Sequence, residues 1–172
     1  MESKEKQNAG VACASTGSVS SVYQTSLGKV VIAVDGEAVT KISFGEFAVA
    51  IDYRQSSLAD MAMAQLEEYF AGKRTEFTVP LRPEGTEFQQ QVWAALQEIP
   101  YGQTRSYRQI AERIGRPKAC RAVGLANSKN PIWIMIPCHR VVGADGSLTG
   151  YAGGLPLKQR LLDIEKIAQN EG

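Results

Sequence analysis

Residues Ile132 to Ile136 read IWIMI, five consecutive large apolar side chains closed off by Pro137. Such a run has no polar face, so it must be covered on both sides, which requires a chain that packs structure above and below it. Its length suits a fully buried strand, and that strand would deliver Cys138, His139 and Arg140 from its end. With 172 residues, 44% of them hydrophobic, the chain can build the required core as one compact unit or two small lobes.

The rest of the chain divides around two prolines. From Ser20 to Phe44, Val-, Ile- and Tyr-rich runs are broken at Ser26-Leu27-Gly28 and at Asp35-Gly36, which predicts a β-meander of about three strands. A helix is expected from Ser57 to Ala71, with Leu58, Met61, Ala62, Leu66, Tyr69 and Phe70 on its apolar face. A short strand over Phe77–Val79 then runs into Pro80-Leu81-Arg82-Pro83, the expected lobe boundary. This gives an N-terminal lobe over residues 19–82 and a C-terminal domain over 83–172. The charged, then small and polar, residues 1–18 read as a disordered or tag-like tail without the apolar core of a secretory signal.

The C-terminal half reads as helical. Thr86-Glu87-Phe88-Gln89 has the form of a capping box and opens a helix to about Glu98, with Trp93 as a packing residue. Ser106-Tyr107-Arg108-Gln109 opens a second, which stops at Gly115. Pro117 near a first helical position starts a third, Lys118 to about Asn127, rich in the small residues Ala119, Ala122, Gly124 and Ala126. Two short helices around a glycine-containing turn form a helix-turn-helix pattern. A last amphipathic helix is expected over Leu157–Lys166.

Charge gives this pattern a direction. Between Tyr101 and Arg140 stand Arg105, Arg108, Arg113, Arg116, Lys118, Arg121, Lys129 and Arg140, against the single acid Glu112. That window carries net +7 in a chain whose total is +1, as expected of a surface that meets a polyanion; a solvated basic face is the plainer alternative. No stretch approaches the apolar length of a membrane span. The three cysteines, Cys13, Cys120 and Cys138, are too few and too widely spaced for a disulfide framework, and a single histidine argues against zinc. A cytoplasmic protein with reduced thiols is expected.

Cys138 and His139 could be a reactive pair or a buried thiol beside a structural histidine. A thiol attacks as thiolate, so it needs a base or positive surroundings. Neighbours in an extended chain point to opposite sides, which leaves a bridging water as the route from sulfur to imidazole. The far ring nitrogen would need a carboxylate, and spacing leaves Asp145, Asp163 and Glu165 open.

The segments GTEFQQQVW, IPYGQTRSYRQIA, RAVG, NPIWIMIPCHRVVGADGSLTGYAGGL and LLDIE together resemble the O6-alkylguanine-DNA alkyltransferases, over residues 85–165. The resemblance implies a small ribonuclease-H-like α/β lobe followed by a winged-helix-like domain carrying the helix-turn-helix. It also implies direct-reversal repair of double-stranded DNA, in which Cys138 irreversibly accepts the alkyl group of a flipped O6-alkylguanine, in a monomer that needs no cofactor. It makes His139 the water-mediated base, Glu165 its orienting acid and Tyr107 a donor to the flipped base. Arg121 becomes the finger that fills the vacated stack, with Lys118, Ala119, Ala122 and Arg105 at the DNA. Asn130 braces the cysteine segment, and Pro137, Tyr151 and Ala152 shape the pocket. Ala152 departs from relatives with a serine hydroxyl there, so only its backbone N–H could serve. Cys120 has no counterpart role and reads as packing. Three rival readings are a lesion-binding relative without repair, which the presence of Cys138 opposes, a sequence-reading helix-turn-helix regulator, and a cysteine hydrolase.

Overall fold

The meander forms where the turn residues stand. In the computed structural model, which describes residues 17–45 and 53–170, β1 (Val19–Thr25), β2 (Gly28–Val34) and β3 (Val39–Phe44) pair antiparallel in that order. Gly28 and Gly36 take positive φ at the two turns, a conformation that glycine adopts without steric cost. Of the expected tail, residues 1–16 lie outside the described residues. Helix α1 (Ser57–Phe70) is capped by the Ser56 side chain on the Ala59 N–H and lays Ala59, Ala62, Met63, Leu66 and Tyr69 on the sheet. The Phe77–Val79 segment is not a ladder strand. Contact with the sheet comes one step later: Val39 N–H donates to Pro80 O at 2.8 Å and Arg82 N–H to Val39 O at 2.8 Å. Pro80 and Pro83 have no N–H to give, which limits pairing there to a single bridge.

Both expected capping boxes are present. Thr86 and Gln89 cap α2 (Glu87–Gln97), and Ser106 and Gln109 cap α3 (Tyr107–Arg113), each by reciprocal side-chain and backbone hydrogen bonds. Helix α4 (Cys120–Ser128) starts later than the sequence suggests. Pro117 lies in a turn closed by Ala119 N–H on Arg116 O, and α4 has no side-chain cap. Trp93 is buried and donates from Nε1 to Ala126 O at 2.9 Å, pinning α2 to α4. Helix α5 (Leu155–Asn170) extends further at both ends than expected, and Pro156 falls in its first turn, where a missing N–H costs nothing.

IWIMI is buried throughout, as its composition requires, but it is not a strand. Ile132 bridges Ile42 of β3, the chain turns back so that Ile136 N–H meets Ile132 O, and Ile134 takes φ 72°. The physical reason is the side chain of Asn130, which accepts from Ile132 N–H and donates to Ile136 O at 2.8 Å. That amide satisfies backbone groups that a ladder would otherwise have to satisfy. After a 3-10 turn at Cys138–Arg140, β5 (Val141–Val142) pairs parallel with β4 (Arg105–Ser106). This two-residue ladder sets the start of α3 beside the cysteine turn. A continuous core runs from β2 through α1 and α2 to Leu161 of α5, so the two lobes share it. No helix among the described residues is long and apolar enough to cross a membrane.

Candidate active site

Cys138 is buried in the 3-10 turn, 4% exposed. Successive residues of such a turn point about a third of a revolution apart, so the extended-chain premise does not hold for the Cys138–His139 pair. The two side chains still make no direct hydrogen bond. Asn130 Nδ2 donates to Cys138 Sγ at 3.1 Å, and Asn127 Nδ2 approaches Cys138 O at 3.4 Å. Asn130 therefore braces both the turn and the sulfur.

His139 is fully buried, with Nε2 at 2.7 Å from Glu165 Oε1. Glu165 is fully buried too, and Arg140 grips it through Nε and Nη2 while giving Nη1 to Ile99 O. The Gly102 N–H donates to Glu165 Oε2 at 3.1 Å and the Tyr69 hydroxyl to Oε1 at 2.8 Å. Burial alone would raise this carboxyl, but His139 and then Arg140 hold it at about 2. An ionised carboxylate only accepts, so His139 donates from Nε2 and keeps its lone pair at Nδ1. That Nδ1 is buried and has no hydrogen-bond partner among the described residues. Burial holds the imidazole below its ordinary value against the pull of Glu165, so it rests neutral. Asp145 instead binds Ser147, and Asp163 accepts from Gln159, so neither takes part in the relay.

Burial also pushes the Cys138 thiol up, while Asn130 and the charge of Lys158 draw it down. Lys158, fully buried on α5, donates to Val141 O at 2.6 Å and to Thr149 O at 3.0 Å. Tyr107, the first residue of α3, donates to the same Thr149 carbonyl at 3.1 Å. Together they fasten the loop that carries Tyr151, whose phenol is held well above its ordinary value by burial and by the neighbouring sulfur. Ala152 beside it is exposed, and Pro137 directly precedes the turn.

The helix-turn-helix presents an exposed face. Lys118, Arg121 and Ala122 are exposed and Ala119 half-buried; Arg121 makes no hydrogen bond or ion pair to a described residue. Leu125 on the same helix is 63% exposed. Arg105 binds its own loop through Thr104 O and Gln103 Oε1. The +7 window is thus less free than its count suggests: Arg113 pairs with Glu98, Arg108 with Glu112, and Arg140 is internal. Cys120 is half-buried with Sγ 3.8 Å from Pro117 O.

Residues 19–83 match the pattern of the 6-O-methylguanine DNA methyltransferase ribonuclease-like domain, and residues 87–167 that family's DNA binding domain. A methylated-DNA–protein-cysteine methyltransferase of Methanosarcina acetivorans is 50% identical over 149 residues, 84% of this chain and 96% of that protein. The chain belongs to the 6-O-methylguanine DNA methyltransferase family. Within that family, the Mycobacterium leprae methylated-DNA–protein-cysteine methyltransferase is 63% identical over 105 residues, 61% of this chain and 64% of that protein. The crystal structure of Mycobacterium tuberculosis OGT in complex with DNA superposes at a TM-score of 0.82 with 46% identity, covering 87% of this chain and 94% of that one. The ribonuclease-like lobe and helical C-terminal domain expected from the resemblance are therefore this family's fold.

Sequence reasoning did not reach Tyr69, Arg140 as an internal ion, Asn127 or Lys158. Arg140 counts in sequence as one charge of the +7 window, and Lys158 as one position of the last amphipathic helix. Tyr69 reads as one more apolar position on α1.

Proposed function

We propose that this chain repairs double-stranded DNA by moving the alkyl group of a flipped O6-alkylguanine onto its own Cys138, once per molecule. The arrangement that carries the reading is a buried thiol braced by Asn130 beside a neutral His139 bound to the ionised Glu165, next to the exposed face of α4 that carries Arg121. His139 Nδ1, the ring's free lone pair, takes the thiol proton through one water. The sulfur then attacks the alkyl carbon in line, and the S–C bond forms as the C–O6 bond breaks. The departing guanine takes up one proton for the one the thiol gave to His139, which returns to its neutral form by losing that proton to water. Tyr107 exchanges its Thr149 carbonyl for the base and supports the charge that develops on O6. Arg121 enters the stack the base has left, while Lys118, Ala119, Ala122 and Arg105 follow the backbone. Tyr151 and the Ala152 N–H face the flipped base. Because the resting thiol is protonated and buried, small electrophiles in solution meet a poor nucleophile. The product thioether is neutral and has no hydrolytic way back, so no cofactor enters and no turnover follows.

Intact-mass measurement after incubation with an O6-methylguanine duplex tests this. The expected result is one added CH2 per molecule, located on Cys138 and absent in Cys138→Ser. Tight lesion binding with no gain of mass would overturn the transferase reading in favour of lesion recognition alone.

A further inference from the structure

Tyr69 lies in the last turn of α1, in the N-terminal lobe, yet its hydroxyl ends inside the relay of the C-terminal domain. It donates to Glu165 Oε1 at 2.8 Å and stands 3.4 Å from His139 Nε2. The side chain is fully buried, and its ring is held edge-on to Tyr101 (centroids 6.1 Å, 87°) and tilted on Phe77 at 5.6 Å. Packing on those faces fixes where the hydroxyl points. We propose that Tyr69 is a positioning residue for alkyl transfer: its hydroxyl holds Glu165 Oε1 against His139, so the C-terminal relay is complete only when α1 of the N-terminal lobe is docked. The proposal rests on the reading of Cys138 and His139 given above.

The chemistry follows from who donates. Burial, and then the charge of Glu165, keep the phenol protonated far above neutral pH, so it serves only as a donor to that carboxylate. Donation disperses charge that Oε1 would otherwise direct at the His139 N–H. Without it, the carboxylate pulls harder, the imidazolium becomes easier to form, and the neutral base becomes scarcer at low pH. The other groups that act on His139 are Glu165 and Lys158 from α5 and Arg140 from its own turn, with Tyr101 reaching it through Glu165. Tyr69→Phe keeps the ring and all of these groups and removes one oxygen, the donor to Glu165 Oε1.

The test uses the full chain and exploits its single histidine, whose ring signals need no assignment among rivals. In Tyr69→Phe, the NMR titration of His139 is expected to move upward by about half to one pH unit. The low-pH limb of Cys138 alkylation by free O6-benzylguanine should move with it, and the rate at pH 6 should fall several-fold. Coincident titrations and pH profiles in the two proteins would overturn the proposal. If the wild type fails to alkylate at all, the functional reading falls, whereas the His139 titration still judges the Tyr69 contact. Should Tyr69→Phe not fold, the unmodified protein decides: a slowly exchanging Tyr69 hydroxyl proton with a cross-peak to the His139 ring supports the contact, and a fast-exchanging one overturns it.

Discussion

Arg140 and Arg121 belong to the same basic window and have opposite fates. Arg140 is buried, with every direction of its guanidinium spent on Glu165, on Ile99 O or over the Tyr101 ring. Arg121 is exposed on α4 and pairs with no acid among the described residues. One arginine has been made part of the interior, and the other has been left available. The same division separates the relay around Glu165 from the face of α4. The relay is buried and Glu165 at its hub is densely hydrogen-bonded, so its residues should govern stability and chemistry together. The α4 face is exposed and lightly bonded, so its residues should govern what is brought to the sulfur and little else.

The largest effect should come from breaking the relay at its hub. Glu165→Gln leaves the Arg140 charge buried without its counter-ion, a change that costs about 3–5 kcal/mol. Denaturant unfolding should show that loss, and Cys138 alkylation should fall with it. The same carboxyl also predicts an acid limb. Its folded value of about 2 lies below its ordinary 4.5, so its contribution is complete above 4.5 and is lost as pH falls through 2. That interval corresponds to about 3 kcal/mol of wild-type stability, and the limb should be missing from Glu165→Gln. A variant as stable as the wild type at pH 7 would mean that the relay is not a structural unit, and the contrast with α4 would collapse.

Next in size is Arg121→Ala, which probes the other side of the contrast. Unstacking a base costs a few kcal/mol, so losing the residue proposed to fill the gap should slow duplex repair about 100-fold. Reaction with free O6-benzylguanine needs no flipping and should be unchanged, as should stability, to within about 0.5 kcal/mol. Equal losses on the two substrates would move Arg121 out of the DNA interface and into the chemistry.

The same contrast marks what the sequence could disclose. The capping boxes at Thr86 and Ser106 were legible because a cap is settled within four residues. Burial of IWIMI was legible because a run without a polar face has nowhere else to go. Its path was not, since strand and turn bury the same side chains and the arbiter is the Asn130 amide. The contact of Tyr69 with Glu165 spans 96 residues, and that of Arg140 with Glu165 spans 25. No local pattern announces either, because the partner is supplied by tertiary packing: of one lobe on the other for Tyr69, and of α5 on the cysteine turn for Arg140. The resemblance over residues 85–165 named Cys138, His139 and Glu165, and the structure brings His139 and Glu165 together. It could not name a contributor from α1, outside the matching segments. Charge counting failed in the opposite way: a +7 total does not distinguish Arg140, buried and held by Glu165, from Arg121, exposed on α4.

The smallest effect should come from Lys118→Ala. Lys118 is exposed beside the turn that leads into α4, so it can neutralise one phosphate without reading a base. A single lost phosphate contact lowers duplex affinity only a few-fold at moderate salt, to the same extent for damaged and undamaged DNA. The sharper signature is the salt dependence. The slope of log affinity against log salt should become shallower by about 1, while Cys138 alkylation by free O6-benzylguanine and the unfolding midpoint stay at wild-type values. Arg121→Ala should differ in kind: it loses repair of a flipped base more than it loses binding. If Lys118→Ala instead slowed repair as much as Arg121→Ala at equal DNA occupancy, α4 would be part of the reacting site. The separation between a buried relay that does chemistry and an exposed face that delivers the base would then have to be abandoned.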